Sequence, residues 1–125
     1  MKRYTLERFI VATKSKITFV LPESLQNEMR EKIIKDGYGL RGKSKWVNEA
    51  IELLLNTKDY IKLVEYNDEL RNFKKVETIV LDSGLEEKLN TALVSIRKAH
   101  PTLEGVKSKI LRTAILQRLL RFVHK

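Results

Sequence analysis

Hydrophobic and polar residues alternate over two short stretches of the chain, and each stretch is followed by two segments of helical period. In the first stretch Ile17, Phe19 and Leu21 share one face while Lys16, Thr18 and Val20 share the other. In the second, Ile79 and Leu81 lie opposite Val76, Thr78 and Val80. Both are rich in β-branched or aromatic side chains and stop at a helix-start signal, so strands are predicted over 16–22 and 76–82. Apolar residues then return every three or four positions. Leu25, Met29 and Ile33 mark a helix behind Pro22, whose fixed φ suits a first turn. Leu85, Leu89, Leu93 and Ile96 mark its counterpart, opened by Ser83 and Glu86 at capping-box spacing. Breaks rich in turn residues follow at 36–42 and 100–105. Beyond each lies another helix, with Trp46, Val47, Ile51 and Leu54 expected in the core of one and Ile110, Leu111 and Ile115 in the other.

The order strand, helix, turn, helix therefore occurs twice, and particular residues recur with it. Thr18, Val20 and Leu21 return 60 residues later as Thr78, Val80 and Leu81. Lys43, Ser44 and Lys45 return after 64 as Lys107, Ser108 and Lys109, as do Ala50 and Ile51 as Ala114 and Ile115. The change of offset places four extra residues between the helices of the second copy. The division expected is 1–13 as an N-terminal arm or short helix, 14–56 as the first unit, 57–73 as a connector and 74–125 as the second unit. The connector lacks the Gly/Ser/Pro composition of a flexible linker. Its Tyr60, Leu63, Val64 and Tyr66 predict packing on the body, and the apolar run Leu116–Val123 predicts an extension of the last helix into the core.

A strand of this length needs a partner. Two copies in one chain supply it, so the fold class expected is mainly α with a short two-stranded antiparallel β-ribbon, the two units fused as a pseudo-dimer. Ile17, Phe19, Leu21, Ile79 and Leu81 would face the helices. Lys16, Thr18 and Val20, with Val76, Thr78 and Val80, would face outward.

Charge gives that outward face a partner class. The chain of 125 residues carries a formal net charge of +9, with 13 basic and 8 acidic side chains in residues 1–62 and 12 and 8 in the remainder. A basic excess spread over the whole body attracts phosphate-rich partners through counterion release. Cysteine is absent, which excludes disulfides and thiolate metal sites, and His100 and His124 have no ligand-like spacing. Neither a metal nor a cofactor is expected. No nucleophile–base pair or Gly-rich phosphate loop is present, so no enzyme is expected. No apolar run approaches the roughly 20 residues that span a bilayer, and the N-terminus lacks a signal-peptide core. A cytoplasmic, DNA-associated location is expected.

A β-ribbon fits the major groove of B-DNA, where base edges present distinguishable donors, acceptors and thymine methyls. Thr18 and Thr78 would offer hydroxyls, Lys16 would reach guanine acceptors, and Val20, Val76 and Val80 would touch thymine methyls. Outward threonine and valine are equally explained as good strand formers. The two LysSerLys segments open helices, where free N–H groups favour anions. Lys43, Ser44 and Lys45, with Lys107, Ser108 and Lys109, are thus phosphate candidates. The plainer alternative makes the serines helix caps and the lysines solvated.

Residues 16–29 and 42–51, with GluAlaIle at 49–51 behind a polar helix start, resemble the ribbon-helix-helix superfamily of Arc and MetJ. That resemblance implies double-stranded DNA binding, with bases read by Lys16, Thr18, Val20, Val76, Thr78 and Val80. Two copies in one chain resemble, in architecture and size, the TraY-type accessory proteins of conjugative plasmids. The role implied is transcription regulator or relaxosome and conjugation accessory factor on a plasmid or mobile element, with a relaxase or other nucleoprotein as partner and neighbouring copies on tandem sites. The second copy departs from the pattern at Glu77, where Ile17 points inward. An unpaired buried carboxylate is costly, so either the second strand starts later or Glu77 lies at a frayed end. The competing reading is a protein-interaction module, antitoxin-like or scaffolding, in which the connector and last helix hold a partner and DNA is secondary.

Overall fold

The computed structural model describes residues 15–39, 41–66 and 75–123, of which Tyr66 and the last three are without side chains, so the packing expected of Tyr66 lies outside the described side chains. The expected arm at 1–13 and the end of the connector at 67–73 lie outside the described residues. The elements run β1 (Ser15–Leu21), α1 (Glu23–Lys35), α2 (Lys43–Leu55), α3 (Tyr60–Tyr66), β2 (Lys75–Leu81), α4 (Ser83–Ala99) and α5 (Val106–Val123). The protein is mainly helical with a two-stranded antiparallel sheet, as the alternation and periodicity predict.

The strands pair with Thr18 opposite Thr78, Lys16 opposite Val80, Val20 opposite Val76 and Phe19 opposite Glu77. Because the copies repeat at 60, this register places an approximate two-fold axis through the Thr18–Thr78 pair. The burial of the two strands follows the same sequence, residue for residue. Ile17, Phe19, Leu21, Ile79 and Leu81 point into the core, and the helices close over them.

At the centre α2 packs on α5, and each also packs on the strand of the other copy, α2 on β2 and α5 on β1. Trp46, Val47, Ile51, Leu54, Ile110, Leu111 and Ile115 are all buried there. The connector contributes α3, whose Val64 is buried and whose Tyr60 and Leu63 pack against the core. Helix α5 does extend through the apolar tail, but Leu120 stays exposed on it.

The first turn is fixed by backbone chemistry. Helix α1 ends with Gly37 at φ 82° and hydrogen bonds from Gly37 N–H to Ile34 O and from Tyr38 N–H to Ile33 O. This paired closure requires the left-handed region that glycine enters freely. At Gly42, before α2, a Cβ would sit 2.4 Å from Tyr38, so the chain can approach itself that closely only without a side chain. The capping box expected at Ser83 and Glu86 does not form. Asp82 precedes the helix, Ser83 is already inside it, and the Glu86 carboxylate instead accepts a 2.6 Å hydrogen bond from Ser15 Oγ.

Candidate nucleic-acid interface

The pleat sends Lys16, Thr18, Val20, Val76, Thr78 and Val80 to one face, away from all the described helices. Lys16, Thr18, Val76 and Thr78 are exposed, and Val20 and Val80 are half-buried. At the centre Thr18 Oγ1 lies 2.9 Å from Thr78 Oγ1. Two hydroxyls carry two protons, and one is used between them. The pair therefore presents one remaining O–H donor, together with oxygen lone pairs, to whatever lies above it.

A bare two-stranded ribbon has two unpaired edges that invite further strands. Here helix side chains occupy them. Ser44 Oγ accepts the Val80 N–H at 2.9 Å, Asn48 Nδ2 donates to Val80 O at 2.8 Å, and Asn48 Oδ1 accepts the Asp82 N–H at 2.9 Å. On the other edge Arg112 Nη1 donates to Val20 O at 2.9 Å. Asn48 and Arg112 stand 64 apart, the offset of the second-helix repeat, and each serves the strand of the opposite copy. Both were legible only as polar breaks in apolar helices.

Glu77 is the main correction to the sequence reading. Strand β2 starts at Lys75, ahead of Glu77, and the residue is not frayed but lies in mid-strand, 3 % exposed. Four donors converge on its carboxylate: Gln26 Nε2 at 2.7 Å, Lys43 Nζ at 2.7 Å, Arg30 Nη2 at 2.9 Å and Arg30 Nε at 3.2 Å. The first copy, with Ile17 at the matching position, has no carboxylate there. Burial alone would raise the Glu77 carboxyl, but the hydrogen bonds from Lys43 and Gln26 outweigh it, helped by the Lys43 charge and by Arg30. Its pKa lies below the usual glutamate range. Asp36 is lowered likewise, its desolvation being offset by hydrogen bonds from Lys32 and from Trp46 Nε1.

A carboxyl with a depressed folded pKa stabilises the protein above its unfolded pKa, and loses that contribution as pH falls through the folded value. Stability to urea should therefore fall on acidification below about pH 4.5, the ordinary glutamate value. The difference between wild type and Glu77→Gln should shrink over the same window. A difference that stays constant from pH 7 to pH 3 would contradict the Glu77 assignment.

The two LysSerLys segments are not equivalent in space. Lys43 turns inward to Glu77 and its side chain is 34 % exposed. Separating a buried pair costs about 3–5 kcal/mol, less for a lysine this exposed. A single phosphate contact contributes about 1 kcal/mol or less when non-specific Kd values of roughly 10⁻⁴–10⁻⁶ M are spread over 6–10 contacts. Lys43 accordingly stays with Glu77, and Ser44 is held at the ribbon edge. Lys109 is buried at 7 % exposure, which leaves little of it to an external anion. Lys45 is exposed with its Nζ 5.8 Å from the Tyr38 ring centroid, Lys107 is exposed without an ion-pair partner among the described residues, and Ser108 is half-buried.

The apolar tail holds a further cation that sequence pattern does not single out. Arg118 stacks on Trp46, its guanidinium 4.5 Å from the ring centroid, and donates to Trp46 O at 2.8 Å and Tyr38 Oη at 3.0 Å. Tyr38 in turn donates to Glu49. This cluster ties α5 of the second copy to the turn of the first. Among the described residues no group of acidic, histidine or cysteine side chains is placed to hold a metal, and no helix is long and apolar enough to cross a membrane.

Comparison of the chain with protein-family models, with curated proteins and with solved structures returned no match.

Proposed function

We propose that the chain is a pair of ribbon-helix-helix units fused as a pseudo-dimer, which binds double-stranded DNA sequence-specifically by placing its β-ribbon in the major groove. The observation that carries this is the ribbon's outer face. Six side chains able to touch base edges, a central threonine pair among them, stand in one layer on a body of net charge +9. Two strands spaced about 4.8 Å apart, with their outward side chains, match a groove about 12 Å wide. The edges are already hydrogen-bonded to helix side chains, which leaves the face, rather than an edge, as the surface offered to a partner. Phosphates are met by Lys45 on one flank and by Lys107 with Ser108 on the other. Lys43 and Lys109 are left out because each is held inside the fold. The role proposed with it, transcription regulation or a conjugation accessory function, rests on the resemblance to ribbon-helix-helix and TraY-type proteins.

Lys16→Ala and Thr18→Ala should each reduce discrimination between a preferred and an unrelated duplex, by about 1–3 kcal/mol per lost base contact. Lys107→Ala should weaken binding to both duplexes alike and reduce the salt slope by about one. Titrations of both duplexes at several salt concentrations separate these effects. Unchanged site preference in the Lys16 and Thr18 variants would exclude the ribbon as the reading surface.

A further inference from the structure

Resting on that reading, we infer that the two halves of the DNA site differ in a fixed sense, with guanine under the Lys16 end of the ribbon and thymine under the Val76 end. The approximate two-fold axis through Thr18 and Thr78 exchanges Thr18 with Thr78, Val20 with Val80 and Lys16 with Val76. The first two exchanges are between identical residues. Among the six outward residues of the described strands, Lys16 against Val76 is the single difference.

Its consequence follows from the cross-strand pairs. At one end of the ribbon Lys16 stands opposite Val80, and at the other Val20 stands opposite Val76. The first end is thus half cationic and the second wholly apolar. Val76 is also 58 % exposed, the most prominent apolar side chain of the ribbon.

An ammonium group only donates. On the major-groove edge guanine shows two adjacent acceptors, N7 and O6, whereas adenine sets a donor beside its acceptor. Lys16 therefore favours guanine. A valine pair held against those guanine acceptors, or against the cytosine amino group, would strip their water without replacing it, which disfavours a G·C pair in either orientation. Against thymine the methyl group meets an apolar surface instead. Val20 and Val76 therefore favour thymine or its complement adenine, with the methyl under the valines. The central step lies beneath the threonine pair, whose single spare proton suits several acceptors and gives the weakest selection.

The reciprocal variants Val76→Lys and Lys16→Val test this in the full-length protein, since both positions are exposed and neither touches the core. Each is put through selection from a random duplex pool beside the wild type, after circular dichroism shows native helix content. Wild type should enrich guanine in one half only, by an order of 10- to 100-fold over the other bases at that position. Val76→Lys should add a second guanine, placed symmetrically in the other half and turning the site into a near-palindrome. Lys16→Val should lose the original guanine and leave thymine in both halves. A guanine retained by Lys16→Val, or no new one in Val76→Lys, overturns the inference while leaving DNA reading intact. A wild type that selects no motif at all removes the DNA reading, and this inference with it.

Discussion

Glu77→Lys should remove most of the protein's stability. The change sets a third cation into a site that already holds Lys43 and Arg30 around a buried carboxylate. Removing one partner of a buried ion pair costs about 3–5 kcal/mol, and like-charge repulsion adds to it. Against a typical total stability of roughly 5–15 kcal/mol, that is much of the whole. Two milder variants grade the effect. Glu77→Gln keeps the shape and an acceptor oxygen but loses the charge. Glu77→Ile installs the residue type found at position 17 and leaves the buried Gln26 amide unpartnered, at about 1–3 kcal/mol. Lys43 and Arg30 are exposed enough to turn to water, which limits the loss. Urea unfolding followed by the fluorescence of the single tryptophan reads all three variants. The expected order of destabilisation has lysine far ahead of isoleucine and glutamine. A lysine variant within about 1 kcal/mol of wild type would contradict the burial of Glu77 among these donors, since ordinary surface substitutions fall within about 0.5 kcal/mol.

Trp46→Ala is the other severe substitution. The indole is fully buried between the two copies. Truncating a tryptophan in such a site costs about 3–5 kcal/mol in lost burial and cavity. It also removes the Nε1 hydrogen bond to Asp36, 2.9 Å long, and the surface on which Arg118 stacks. The melting temperature should fall by roughly 10–20 °C for a chain of this size. Trp46→Phe keeps an aromatic face for Arg118 but not the bond to Asp36, so it should lose about a third as much. If alanine and phenylalanine were equally harmful, the hydrogen bond rather than packing would dominate at this position.

These two residues also mark where sequence reasoning succeeds and where it stops. Trp46 was legible as core because its spacing with Ala50 is local and periodic. The ribbon was legible for the same reason: alternation over 16–21 and 76–81 names the outward residues without knowledge of the partner strand. Glu77 was not. Its donors Gln26, Arg30 and Lys43 stand 51, 47 and 34 residues away, and only the fold gathers them. The same distance effect separated the two LysSerLys segments, identical as text yet placed differently. Lys43 found a carboxylate on the other copy's strand, whereas Lys107, on a helix packed against the strand that carries Ile17, has no ion-pair partner among the described residues. Asn48, Arg112 and Arg118 were likewise single polar residues in apolar helices, and their roles depend on backbone groups and rings far off in the chain.

Site selection from a random pool of duplexes, at about 0.2 M salt and with the purified protein, tests the central claim most directly. At that ionic strength the sequence-independent phosphate attraction is weak and base contacts decide which duplexes survive. Enrichment of one short, asymmetric motif is the predicted result. Tight binding without enrichment, or no binding at any salt concentration, would contradict the claim that this ribbon reads DNA.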